Sequence, residues 1–122
     1  MADVFKNFTG ILDTTANATI FTVPVANVAA TPPVPATTYV AKTFFVVHEA
    51  VTNPKTLVKA FHYDASEGQT IGFAAEIEAG NAINLFQNGI YVFEAGDQLI
   101  INSNIANNIN YSVSLLEIKG QQ

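Results

Sequence analysis

From Glu76 to Ile118 the chain is a succession of short β-prone runs cut by turn formers, at Ala79-Gly80-Asn81, Asn88-Gly89, Ala95-Gly96-Asp97 and Asn107-Asn108. Runs such as Ile90-Tyr-Val-Phe93 and Leu99-Ile-Ile-Asn-Ser103 are rich in β-branched and aromatic residues, and none is long enough to carry a helical period. In the closing run Ile109, Tyr111, Val113 and Leu115 alternate with Asn110, Ser112 and Ser114, one buried face against one wet face. The pattern confines the chain to an all-β architecture. Its polar residues are amides, serines and isolated carboxylates at turns, which leaves little room for an active site.

The front half reads the same way. Phe8 to Leu12 is a strand that ends in the turn cluster Asp13-Thr-Thr-Ala-Asn17, and Thr19 to Val23 resumes β-branched and aromatic residues, so the two suggest an opening hairpin. Between Pro24 and Thr37, Pro32, Pro33 and Pro35 exclude a central strand and favour an extended, polyproline-like segment. This segment 24–37 is read either as a crossover between sheets or as a stiff arm lying on a neighbouring subunit. Thr38 to Val51 is a long strand with Thr43, Phe45 and Val47 on one face and Phe44, Val46 and His48 on the other, and the apolar character of both faces predicts a central position. A hairpin across 52–55 leads to Thr56–Tyr63. Asp64 to Gln69 forms a turn, and Thr70 to Glu78 is a further strand. Asn88-Gly89 is the strongest hairpin signal, because both residues tolerate the positive φ of a type I′ turn. Leu116 and Ile118 break the alternation of the last strand, which predicts a β-bulge or a change of partner near Leu115-Leu116.

Eight or nine strands at roughly ten-residue spacing predict an antiparallel two-sheet sandwich. A jelly roll is the first expectation and an immunoglobulin-like sandwich the alternative, with residues 1–122 forming one β-sandwich domain. At 122 residues the chain is long enough to bury a core without disulfides or a metal.

Charged residues make up only 12% of the chain, against about 25% in a typical soluble domain, which points to surfaces packed against other proteins. Ten carboxylates outweigh five lysines, scattered at positions 6, 42, 55, 59 and 119, and there is no arginine; this argues against a nucleic-acid partner. The absence of cysteine excludes disulfides, thiolate metal sites and a cysteine nucleophile. The opening residues carry no secretion-signal pattern, and the uncharged stretches 14–41 and 98–115 hold too many prolines and asparagines to cross a bilayer, so no membrane association is expected. Asn-X-Thr/Ser triplets at Asn7, Asn17 and Asn110 read as chance in so Asn- and Thr-rich a chain.

His48 and His62 are the only imidazoles. A 52–55 hairpin would leave them offset, so structural or interface roles are expected rather than a metal pair. Glu76 and Glu78 share a strand face and raise the possibility of a glycosidase-like pair, against a solvated sheet edge that resists aggregation; the edge is the preferred reading. Asp64, Glu67 and Asp97 lie at turns without the spacing of a calcium loop, and Ser66, Ser103, Ser112 and Ser114 lack a nucleophile elbow. No catalytic residue, metal ligand or cofactor site is expected, and the chain is not expected to be an enzyme. Phe5 and Phe8 are candidates for anchoring in a partner, or alternatively belong to a first strand joining the core. With Pro32, Pro33 and Pro35 they make up the candidate interface.

The segment from Ile83 to Ile118, with its Asn-Gly and Ala-Gly-Asp turns, its Asn-rich strand and its closing Leu116-Glu-Ile118, together with Leu12 to Pro24, resembles small all-β virion structural proteins of tailed bacteriophages. The resemblance implies a virion protein made in the host cytoplasm, self-associating as a homo-oligomer and binding capsid, neck or tail proteins. Capsid decoration or cement is the foremost expectation, with a neck or tail component next. A carbohydrate-binding fibre module is a further alternative and would require an exposed aromatic pair drawn from Tyr39, Tyr63, Tyr91 and Tyr111.

Overall fold

The computed structural model describes residues 3–50, 55–87 and 89–119, and among these there is no helix. The strands are β1 (Asp3–Leu12), β2 (Ala18–Thr22), β3 (Thr37–His48), β4 (Thr56–Asp64), β5 (Gln69–Ile77), β6 (Ala82–Asn84), β7 (Tyr91–Phe93), β8 (Gln98–Ser103) and β9 (Ile109–Lys119). One sheet has the order β1-β9-β3-β6, with β7 also paired to β3, and the other has the order β2-β8-β4-β5; every pairing is antiparallel. Counting β6 and β7 as one interrupted strand, first pairs with last, second with next to last, and so on inward. This is a ribbon rolled into a sandwich, the jelly-roll arrangement, rather than an immunoglobulin-like one.

The rolled ribbon replaces three expected hairpins. β1 and β2 belong to different sheets, as do β3 and β4, so neither pair forms a hairpin, and of the proposed turn at 52–55, residues 52–54 lie outside the described residues. β6 and β7 do not pair with each other; both pair with β3, at Phe45–Val47 and Tyr39–Ala41. Asn88 lies outside the described residues, and the left-handed residue in this segment is Gln87, at φ 52°, not Gly89. The physical reason is the pull of two large side chains. Between β6 and β7 the chain turns Leu85 and Phe86 into the core, with the Asn84 side chain accepting hydrogen bonds from the N–H groups of Phe44 (3.0 Å) and Phe86 (3.1 Å). Among the described residues the one hairpin is β4–β5. Its turn uses Gly68 at φ 66°, and Asp64 accepts from the Ser66 hydroxyl at 2.8 Å and from the Ser66 N–H at 3.1 Å.

β3 is central, as its apolar content predicts, but only one of its faces is fully buried. Phe45 is 47% exposed. The inward residues are Thr37, Tyr39 and Ala41, and then Phe44, Val46 and His48, because the register against β9 slips between Ala41 and Thr43. Lys42 is the extra residue of a β-bulge, exposed where the two phases meet. The bulge therefore lies opposite the expected site at Leu115-Leu116. β9 itself keeps one phase, with Val113, Leu115 and Glu117 inward and Leu116 and Ile118 outward. The proline-rich segment is not extended. It folds back on itself, with Asn27 and Val34 exchanging backbone hydrogen bonds of 2.8 and 2.9 Å, and it carries the chain from β2 in one sheet to β3 in the other.

An aromatic chain runs through the core. Phe8, Phe21 and Tyr39 meet near one end, Phe44, Phe73, Phe86 and Tyr91 near the other, and Phe93 joins them, with ring centroids 5.1 Å from Phe21 and 6.4 Å from Phe86. Edge-to-face contacts such as Phe21–Phe93 add to the area these rings remove from water. The Tyr111 ring crosses β1 at Gly10, where an added Cβ would come within 2.7 Å of the ring.

The bulge gives a sharp test. Deleting Lys42 restores regular alternation in β3, so the variant stays folded with dispersed amide NMR signals. Deleting Phe45 instead turns Val46 and His48 outward and abolishes cooperative unfolding.

Candidate functional site

The residues singled out by sequence fall in different parts of the molecule. Phe8 joins the core against Phe21 (5.2 Å) and Tyr39 (5.9 Å), so it is not an anchor for a partner. Phe5, on the opposite face of β1, is 86% exposed. Pro32 and Pro33 sit on the outside of the folded-back segment and Pro35 is half-buried. His48 is buried in the β3 sheet, while His62 lies in the other sheet, so the two imidazoles do not form a pair. Among the described residues no group of three or more His, Cys, Asp or Glu side chains could hold a metal ion. Glu76 is on the edge strand β5 and Glu78 just beyond it; with Lys55 and Asn81 they line an open polar cleft.

Three of the four tyrosines are committed to packing, and the fourth, Tyr63, is half-buried at the end of β4. Tyr39 is buried, Tyr91 contacts Phe73 and Phe86 at 5.0 and 4.5 Å, and Tyr111 covers Gly10. The strongly exposed aromatic rings among the described residues are phenylalanines, Phe5 and Phe45.

Two polar assemblies escaped sequence reasoning. Asp97, at 2% exposure, uses its carboxylate to accept hydrogen bonds from Ala65 N–H (3.0 Å), Glu94 N–H (3.0 Å) and His62 Nε2–H (2.8 Å). Its backbone carbonyl accepts from Val23 N–H at 2.9 Å, and Gly96 N–H donates to the Val23 carbonyl at 2.9 Å. The Ala-Gly-Asp turn is thus a three-way joint between the end of β2, the β4–β5 turn and the β7–β8 turn. Gly96 sits at φ 90°, and an added Cβ would press on Ala65 at 3.2 Å. The second assembly is Lys6–Glu117, an ion pair of 2.9 Å between inward-facing residues of β1 and β9, with Glu117 buried and Lys6 partly exposed.

Around this pair, the Lys6 ammonium is held above its usual pKa, chiefly by its hydrogen bond to Glu117. The phenol of Tyr39 is also pushed up, chiefly by burial. At the β4–β5 turn, Asp64 is held below its usual range, first by the Ser66 hydroxyl and then by backbone N–H groups.

The surface with the most to offer a partner is the outer face of the β1-β9-β3 sheet. Phe5, Leu116, Val40 and Val92 stand in register across β1, β9, β3 and β7 and form one apolar row. The next row, Asn7, Ser114 and Thr43, is short and polar, with Ser114 Oγ–H donating to Asn7 Oδ1 at 2.8 Å. Between these rows lies a groove of about 360 Å³, bordered by Phe5, Ile90 and Lys42 and floored by Val40, Leu116 and Ser114. Among the described outward residues of β1, β3, β6, β7 and β9, the one carboxylate is Asp3, at the start of β1. The signal for this face was present in the sequence as Leu116 and Ile118. Their outward phase marks an apolar outer face.

The Asp97 joint predicts that Asp97→Ala lowers unfolding free energy by roughly 3 kcal/mol in urea titration, since several donors lose their acceptor. Asp97→Asn keeps one carbonyl oxygen and loses less. For pH, raised values in the folded state mean that Lys6 and Tyr39 hold their protons more tightly there than in the unfolded chain. Their contribution is complete below about pH 10 and is lost as pH climbs through the folded values. The urea midpoint therefore falls between neutral pH and pH ~11, and Lys6→Arg, which does not titrate in this range, softens the fall.

No family model and no curated protein matches this chain by sequence. Solved structures do match in shape. The Drosophila NLP-core, whose structure bears on pentamer formation and histone binding, shares 15% identity at a TM-score of 0.51, covering 98% of this chain and 100% of that one. A structure of infectious bursal disease virus, Gx strain, is 12% identical at a TM-score of 0.47; the alignment covers 98% of this chain but 33% of that protein, so this chain spans about a third of its length. The globular domain of zebrafish complement 1qA is 11% identical at a TM-score of 0.41, covering 95% and 98% of the two chains. At such identities the common property is the fold: two antiparallel sheets rolled as a jelly roll.

Proposed function

We propose that this chain is a structural protein of a tailed-phage virion, acting by protein–protein binding, with capsid decoration or cement as its role. The observation that carries the reading is the sparsely charged outer face of the β1-β9-β3 sheet, with its apolar row Phe5, Leu116, Val40 and Val92, on a chain with a net charge of −5. A monomer gains nothing by exposing Phe5, Phe45, Ile90 and Val92 on one face, and such patches mark interaction sites. The resemblance of the Ile83–Ile118 segment to small phage virion proteins supplies the setting. Binding without catalysis is part of the proposal, as are residence in the virion and synthesis in the host cytoplasm.

Self-assembly belongs to the same reading. Self-association as a homo-oligomer is proposed for this chain, and the Drosophila protein of this fold, connected with pentamer formation, is one example of self-association on the fold. The fibre-module alternative is the weaker reading, because Tyr39, Tyr91 and Tyr111 are taken up by packing and leave Tyr63, which is half-buried, without a tyrosine to pair with.

Particles of the encoding phage provide the test. The chain is expected in purified virions at a copy number that tracks the coat lattice, and the purified chain is expected to co-sediment with assembled shells but not with isolated coat subunits. One ring's worth of copies per particle would instead mark a neck or tail component. Absence from particles would sink the virion reading.

A further inference from the structure

We infer that the outer face of the β1-β9-β3 sheet is the surface through which two copies of this chain pack, with Phe5 of each copy seated in the groove of the other. The inference rests on the self-assembly reading above and adds the surface and its geometry.

Three observations select a second copy as the occupant. The first is shape. Phe5 is the most exposed large apolar side chain among the described residues, and it stands at the rim of a groove of about 360 Å³ on its own face. Projection and depression on one surface are what a two-fold, self-complementary contact requires, because each copy presents both halves of the fit. The groove exists because Phe5, Ile90 and Lys42 stand above a floor of Val40, Leu116 and Ser114, and the polar group of Ser114 is satisfied by its hydrogen bond to Asn7. A ring entering there does not strand that pair without a partner.

The second is charge. Two copies at net −5 repel each other wherever their carboxylates approach. Of the ten carboxylates, Asp13, Asp64, Glu67, Glu76, Glu78 and Glu94 lie on turns or on the other sheet and Asp97 and Glu117 are buried. Asp3 at the start of β1 and Glu49, which accepts from Asn110 at the far end of β9, leave the groove between them clear of carboxylates, so like-charged copies meet there at least cost. The charged side chains that line the groove are lysines, Lys42 exposed at the bulge and Lys6, which is paired with Glu117.

The third is area. Strands ~4.8 Å apart and rising ~3.3 Å per residue make this face roughly 19 Å wide and 33 Å long, or about 600 Å² before relief is counted. A stable interface takes about 800 Å² from each partner, so the face is of the right size for a symmetric dimer contact.

Sedimentation velocity on the full chain, from low-micromolar to hundred-micromolar concentration, tests the inference alongside Phe5→Glu, Ile90→Glu and, on the opposite sheet, Lys59→Glu. Wild type is expected to self-associate. Phe5→Glu and Ile90→Glu each weaken the association at least about tenfold while far-UV melting stays as in wild type, because both side chains are exposed and neither supports the core. Lys59→Glu stays within about twofold of wild type. A wild-type oligomer undiminished by either variant, or equally diminished by Lys59→Glu, overturns this surface while leaving self-assembly standing. A wild type that remains monomeric overturns both, and if it then binds coat protein through Phe5 the face belongs to a different partner.

Discussion

The buried carboxylate of Asp97 is the contact on which the arrangement of turns depends. A jelly roll closes only if turns distant in sequence are brought to the same end of the sandwich, and Asp97 does this with one side chain, accepting from Ala65, Glu94 and His62. Its carbonyl and the Gly96 N–H then hold the end of β2. A carboxylate this buried is tolerable because donors surround it, and hydrogen bonds to a charged acceptor are stronger than neutral ones. The same joint touches the middle of the aromatic chain. His62, which donates to Asp97, lies 4.1 Å from the ring of Phe93, and Phe93 bridges the two aromatic groups of the core.

The sequence made the strands legible and their partners far less so. Alternation and turn formers located β3, β4, β5, β8 and β9 within a few residues, because those signals are local. Pairing is not local. Asn88-Gly89 has the composition of a hairpin turn, yet burying Leu85 and Phe86 outweighed the local preference, and the flanking strands both went to β3. The opening strands likewise look like a hairpin until β9 and β8 are available as partners, more than seventy residues downstream.

The candidate surface was half-legible for a related reason. Phe5 stood out as a large apolar residue near the start, and Leu116 and Ile118 stood out as breaks in an alternating pattern. Only the register, which sets Phe5 beside Leu116 and Leu116 beside Val40, turns these separate residues into one row. Phe8 illustrates the opposite error. Three positions along a strand reverse the face, so two phenylalanines that look equivalent in sequence divide between solvent and core.

The interruption between β6 and β7 has a consequence for how large an assembly can grow. A sandwich whose sheets both end in long, regular strands can add neighbours at each side without limit, and such growth makes fibres. Here the β3 side of one sheet ends in two three-residue pieces, and the other sheet ends in β2, which has an irregular register, and β5, which carries Gly72 and Glu76. The ten-residue β1 is the remaining long, unbroken border of its sheet. The other sheet keeps the nine-residue β5 as its long edge, where the exposed Glu76 opposes pairing with a like-charged copy, so the two broken edges and this charged one all work against lateral growth into fibres.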